Sequence, residues 1–111
     1  MICKPGDIVV LPFPFTDKNS TKRRPALVIS SQKFNDDNNQ SVFAMITTAK
    51  QSSWISDTPI KNSETTGLTA NSVVRMKLFT LENQFIFRQI GHLSSDDHLA
   101  VSAELKKIIT I

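Results

Sequence analysis

Arg24-Pro25-Ala26-Leu27-Val28-Ile29-Ser30-Ser31 is the stretch on which the reading of the fold turns. Pro25 to Ser31 contains a continuous apolar run, without the alternation of a half-exposed strand, so it reads as a central strand. Arg24 precedes a proline, whose ring pushes the residue before it into an extended conformation. Its guanidinium is therefore expected at the mouth of a buried strand, projecting from a rigid edge. A planar fork of donors in that position matches phosphate oxygens. On local physics alone, a surface arginine beside a strand start is the favoured reading.

Upstream, Asp7 to Phe13 follows Pro5-Gly6 and is rich in apolar and β-branched residues, which predicts a first strand. Pro12 and Pro14 end its regular pairing, since neither can donate to a ladder. Thr16 to Arg24 is polar and charged and reads as a loop. Downstream, Gln32 to Gln40 reads as a turn-rich connection and Ser41 to Thr47 as a third, buried strand. Ser56 to Ile60 is expected as a short edge strand. Two more strands are expected at Ser72 to Met76 and Phe85 to His92, with Thr80-Leu81-Glu82-Asn83 turning between them.

The ending changes period. Ser94-Ser95-Asp96-Asp97 has the form of a capping box, and two acids in a first turn suit the helix dipole. Val101, Leu105, Ile108 and Ile109 then fall on one helical face, with Lys106-Lys107 near the negative end. The pattern predicts a mainly β fold, a small barrel with a C-terminal helix packed on it. Few short strands and one helix argue against a doubly wound sheet.

At 111 residues the chain is expected to be a single domain, 1–111, with 40% hydrophobic residues for its core and 21% charged, too few for disorder. A domain this small leaves much surface exposed, so pairing would help its stability. The net charge of +3 permits nucleic-acid binding without requiring it. Its distribution says more: Lys18, Lys22, Arg23 and Arg24 crowd one stretch, with Asp17 the only acid beside them. Such a run also reads as a solvated loop. Cys3 is the only cysteine, which excludes an internal disulfide and a multi-thiolate metal site within one chain. The first residues lack the apolar core of a signal peptide, and no run is long enough to span a bilayer, so a cytoplasmic protein without membrane attachment is expected.

Other candidates are weaker alone. Thr47-Thr48 ends the third strand, and if that strand pairs with the second, a hydroxyl and a guanidinium could hold a phosphate between them. His92 and His98 could be an acid–base pair, but nothing in the sequence brings them to Arg24. Trp54 and Phe79 could stack on bases, although Trp54 in a polar loop reads equally as a lid over the core. There is no glycine-rich phosphate loop and no metal motif, so neither cofactor nor metal is expected.

Taken together, these segments resemble the PemK/MazF family of toxin–antitoxin toxins. The resemblance is carried by Lys4-Pro5-Gly6-Asp7-Ile8-Val9, Phe13-Pro14-Phe15-Thr16-Asp17 and Lys22-Arg23-Arg24-Pro25-Ala26-Leu27-Val28-Ile29-Ser30. Ala44-Met45-Ile46-Thr47, Ser72-Val73-Val74-Arg75 and Ile90-Gly91-His92-Leu93-Ser94 continue it in family order over nearly the whole chain. It implies an SH3-like barrel with a C-terminal helix, assembled as a homodimer and restrained by a cognate antitoxin protein, with operator DNA bound only through the antitoxin complex. It also implies metal-independent, sequence-preferring cleavage of single-stranded RNA, including messenger RNA, in the cytoplasm. The catalytic arginine falls on Arg24 and the threonine on Thr47. The loop Phe15 to Arg23 would cover the groove, and Lys18, Ser20, Thr21, Lys22, Arg23, Thr48, Arg75 and Lys77 are the expected RNA contacts.

The implied chemistry is attack of a ribose 2′-hydroxyl on the adjacent phosphorus, leaving a 2′,3′-cyclic phosphate and a 5′-hydroxyl. A guanidinium stabilises the developing charge but is a poor base at neutral pH, so Arg24 is assigned mainly electrostatics and the base is unassigned. Many members carry Gly-x-Glu before Arg-Pro, whereas this chain reads Asp17-Lys18-Asn19-Ser20-Thr21-Lys22-Arg23, with neither residue. Two rivals follow: a gyrase poison of the CcdB type, or an inactive barrel that binds only antitoxin or DNA. The Arg-Pro plus Ile-Thr pair favours the nuclease.

Overall fold

The apolar run after Pro25 forms the interior of a six-stranded antiparallel sheet in the computed structural model, which describes residues 1–13, 22–50 and 53–111. Strand β2 (Arg23–Val28) lies between β1 (Asp7–Pro12) and β3 (Gln40–Thr48). β5 (Ser72–Glu82) pairs on the far side of β3, β4 (Thr58–Pro59) closes that edge, and β6 (Arg88–His92) pairs with β1 at the other. The sheet curls into a half-barrel, and α2 (Ser95–Ile108) follows it.

Alternation explains why β2 is apolar from Pro25 onward. Ala26 and Val28 point into one buried cluster with Val9, Leu11, Phe43 and Phe79, while Leu27 points into a second with Ile8, Ile46, Val74 and Val101 of α2. A strand covered on both faces has no solvent side to carry polar residues. In the first cluster Phe79 packs on Phe43 at 5.5 Å and edge-on to Phe13 at 5.1 Å between ring centres.

The helix begins as its sequence indicates. The Ser94 hydroxyl accepts from the Asp97 amide at 3.2 Å. Asp97 does more than suit the dipole: it is 3% exposed, and its carboxylate accepts from the amides of Lys61 and Asn62 at 3.1 and 2.9 Å. Of the expected apolar face, Val101 is buried and Leu105 half-buried, while Ile108 and Ile109 are exposed.

Two segments depart from the sequence reading. The connection at Gln32 to Gln40 contains a seven-residue helix, α1 (Gln32–Asn38), capped by Ser31, which accepts from the Phe34 amide at 3.1 Å, and ended by Asn39 at φ 53°. Its polar composition hides it because hydrogen bonds dock it. Asn35 is fully buried and donates through Nδ2 to the Cys3 carbonyl at 3.0 Å. Of the expected turn Thr80-Leu81-Glu82-Asn83, the first three residues are instead the end of β5, and a single 3-10 turn at Asn83–Phe85 follows. Asn83 is drawn inward, donating through Nδ2 to the Asn35 carbonyl at 2.8 Å. Among the described residues, no helix is long and apolar enough to cross a membrane.

Candidate active site at the split between β2 and β3

Backbone polarity along β2 locates the site. The Gly6 amide donates to the Val28 carbonyl, and the Ile29 amide donates to the Val42 carbonyl, both at 2.9 Å. Even-numbered residues of β2 therefore turn their polar groups to β1, and odd-numbered residues turn theirs to β3. Pro25 falls where the ladder to β3 needs an N–H, and it has none. Pairing with β3 stops at Ala26↔Met45, although β2 stays paired with β1 through Leu11↔Arg24 and Pro12↔Arg23.

Beyond that last pair the strands enclose a cleft of about 130 Å³, lined by Arg24, Pro25, Ile46, Thr47, Thr48 and Ser72. Arg24 and Thr47 share a sheet face, because each lies two residues along from a member of the Ala26↔Met45 pair. Arg24 is exposed, Thr47 half-buried and Thr48 exposed. A guanidinium and two threonine hydroxyls around an opening this small form a donor set suited to one phosphate, the Ser72 hydroxyl being engaged with the Ala70 carbonyl at 2.9 Å. Ser72, nearly buried, is the cleft residue that sequence reasoning missed. It arrives through the register Thr48↔Ser72, and no local pattern marks it.

The remaining expected contacts scatter. Arg23 projects to the face opposite Arg24, and its guanidinium carbon stands 3.7 Å over the Phe87 ring. Lys22 is exposed, ahead of the strand. Lys77 is half-buried in a bulge of β5, where Ala44 pairs with Leu78 and Met45 with Arg75, leaving Met76 and Lys77 between. Lys18, Ser20 and Thr21, with most of the loop expected over the groove, lie outside the described residues. Neither His92 nor His98 lines the cleft. Phe79 is a core residue, 9% exposed, and its ring is used in packing rather than presented to a base.

Arg75 is not an open cation. Its Nε and a terminal guanidinium nitrogen donate to the two Asp57 carboxylate oxygens at 3.0 and 2.8 Å, and both side chains are about nine-tenths buried. The hydrogen bonds from Arg75 hold the Asp57 carboxyl below its ordinary range despite desolvation, and Asp57 in turn raises the guanidinium. Trp54 closes over this pair, its ring centre 5.4 Å from the guanidinium carbon. Among the described residues, no group of three or more His, Cys, Asp or Glu side chains could hold a metal ion.

Residues 4–109 match the family model described as PemK-like, MazF-like toxin of type II toxin–antitoxin system. No curated protein sequence matches the chain. Among solved structures, MazF from Deinococcus radiodurans is 18% identical with a TM-score of 0.76, over 100% of this chain and 99% of that one. The Mycobacterium tuberculosis toxin MazF-mt6 is 22% identical with a TM-score of 0.72, over 91% and 93%. An endoribonuclease in complex with its cognate antitoxin, from mycobacterial species, is 13% identical with a TM-score of 0.73, over 96% and 91%. At these identities the structural likeness shows the fold.

Proposed function

The chain belongs to the family of PemK-like, MazF-like toxins of type II toxin–antitoxin systems, and from that premise we propose that it is a metal-independent, sequence-preferring endoribonuclease acting on single-stranded RNA. The observation that carries this reading is that Arg24 and Thr47, far apart in sequence, line one phosphate-sized cleft. One of the similar structures is an endoribonuclease in complex with its cognate antitoxin, and others are MazF together with MazE, which supports a cognate antitoxin as partner here. A homodimer, and operator DNA bound only through the antitoxin complex, belong to the same reading.

The scissile phosphate sits in the cleft with its non-bridging oxygens toward Arg24. The 2′-oxygen forms a bond to phosphorus as the bond to the 5′-oxygen breaks, giving a 2′,3′-cyclic phosphate and a 5′-hydroxyl. The 2′ proton leaves to a base, and a proton is delivered to the departing 5′-oxygen. Arg24 offsets the charge that gathers on the phosphorane oxygens, where a preorganised donor has its largest effect. The Thr47 hydroxyl donates to a non-bridging oxygen and fixes the phosphate, with Thr48 and Ser72 also lining the cleft. Among the described residues no carboxylate or imidazole lines the cleft, so the chain's own contribution there is positioning and charge stabilisation.

The test is incubation of the purified protein with single-stranded RNA of varied sequence in EDTA, beside Arg24→Ala. Cleavage by the wild type, leaving cyclic phosphate ends and lost in the variant, is expected. No cleavage across those sequences rejects the enzyme, and cleavage abolished by EDTA rejects the metal-free route. Gyrase-dependent DNA breaks without RNA cleavage select the CcdB-like alternative.

A further inference from the structure

Resting on the ribonuclease reading, we infer that Trp54 is a base-stacking platform beside the cleft, held in place by the Asp57–Arg75 pair. The strand register brings the pair to the right face. Val73 stands across from Thr47, and Arg75, two residues on, stands across from Met45. Arg75 is thus the diagonal same-face neighbour of Thr47, and such positions lie roughly 7–8 Å apart.

Arg75 cannot swing freely, because Asp57 grips two of its nitrogens. The segment that carries Trp54 is closed on the same carboxylate: the Trp54 amide donates to Asp57 Oδ2, and the Asp57 amide donates back to the Trp54 carbonyl, both at 3.0 Å. One carboxylate therefore sets the guanidinium and the backbone under the indole. Trp54 is nevertheless 44% exposed and belongs to neither apolar cluster, so it does not serve as a lid over the core. A large aromatic clamped over a same-face neighbour of Thr47, with ring surface open to solvent, has the form of a nucleobase platform. Every base offers a π-face, so the contact tolerates sequence, and one stacked base is worth roughly 5- to 150-fold in affinity. An RNA strand with its phosphate between Arg24 and Thr47 would lay a flanking base across Trp54.

Trp54 is the chain's only tryptophan, so intrinsic fluorescence reports from this one position. The full chain is titrated with a mixed-sequence single-stranded oligodeoxynucleotide, which lacks the 2′-hydroxyl needed for cleavage, and with an abasic strand of equal length. Saturable quenching by the base-bearing strand and little by the abasic one is expected. In cleavage of single-stranded RNA, Trp54→Ala should raise KM about tenfold with kcat little changed, and Trp54→Phe should recover most of the loss. Asp57→Asn, which loosens the clamp, should move KM in the same direction. Equal quenching by both strands, or a Trp54→Ala protein with wild-type KM, overturns the stacking role and leaves the ribonuclease reading standing. A wild type that cleaves no single-stranded RNA overturns that reading, and the stacking role with it.

Discussion

Ser41 and Thr47 stand near opposite ends of β3, yet the hydroxyl of Ser41 is sealed in a polar network while Thr47 lines an open cleft. Ser41 donates to the Asn83 side-chain carbonyl, Asn83 donates to the Asn35 carbonyl, and Asn35 donates to the carbonyls of Cys3 and Ser30. All of these lie within hydrogen-bonding reach because α1 and the turn after β5 fold over that end. At the other end, Pro25 interrupts the β2–β3 ladder and Thr47 lines the opening this leaves. The difference lies in what the neighbouring chain can still donate. Where donors and acceptors are complete, small polar residues stabilise the fold; where a proline has removed one, they face an opening that a ligand can fill.

The sharpest break between the two ends should come from Arg24→Ala. Loss of a charge-stabilising donor is expected to lower kcat by about 10²- to 10³-fold while the melting temperature stays at the wild-type value, because Arg24 is exposed. Single-turnover cleavage beside a thermal melt checks both halves. A stability loss that accounts for the missing activity would erase the contrast.

Asn83→Ala should do the reverse. It strands the Ser41 hydroxyl and the Asn35 carbonyl in the interior, which costs about 2–4 kcal/mol by urea unfolding, with kcat per folded molecule unchanged. Among the described residues no buried side-chain nitrogen or oxygen lacks a partner, so the variant would create the defect rather than worsen one. Thr47→Val keeps the shape and removes the hydroxyl. An activity drop of about tenfold, with stability raised or unchanged, would place this threonine on the ligand side of the comparison.

The smallest effect separates the clamp from both ends. Asp57 has its carboxyl lowered in the folded state by Arg75. Its contribution to stability is therefore fully present above the ordinary carboxylate range, near pH 4, and is lost as pH falls through the lowered folded value. The difference in melting temperature between wild type and Asp57→Asn should be constant above about pH 5 and shrink toward pH 3. A gap independent of pH would mean that the ion pair adds nothing.

Much of this was legible in the sequence where chemistry is local. The run from Pro25 and the Ser94 cap announce a central strand and a helix start, because ring sterics, apolar burial and first-turn amides act within a few residues. Helix α1 was not legible: its seven residues hold no apolar stripe, and it is docked by Asn35 reaching carbonyls elsewhere in the chain. The full length of β5 was hidden for a related reason, since Glu82 and Asn83 look like turn residues until Ser41 and Asn35 supply Asn83 with partners.

The site divides in the same way. Arg24 and Thr47 were each visible as residues of the right kind. That they line one cleft depends on the Ala26↔Met45 register, and that the cleft opens there depends on which side of β2 the missing proline N–H faces. Ser72 entered only through its pairing with Thr48, and the cation read at Arg75 proved to be half of a buried ion pair. Sequence by itself determined the residue types and the strand-forming runs, since these follow from each residue's own sterics and polarity. Only the tertiary structure decided which polar groups meet a partner and which are left facing a cleft, because a hydrogen bond is satisfied by whatever the fold brings within about 3 Å, whatever its distance along the chain.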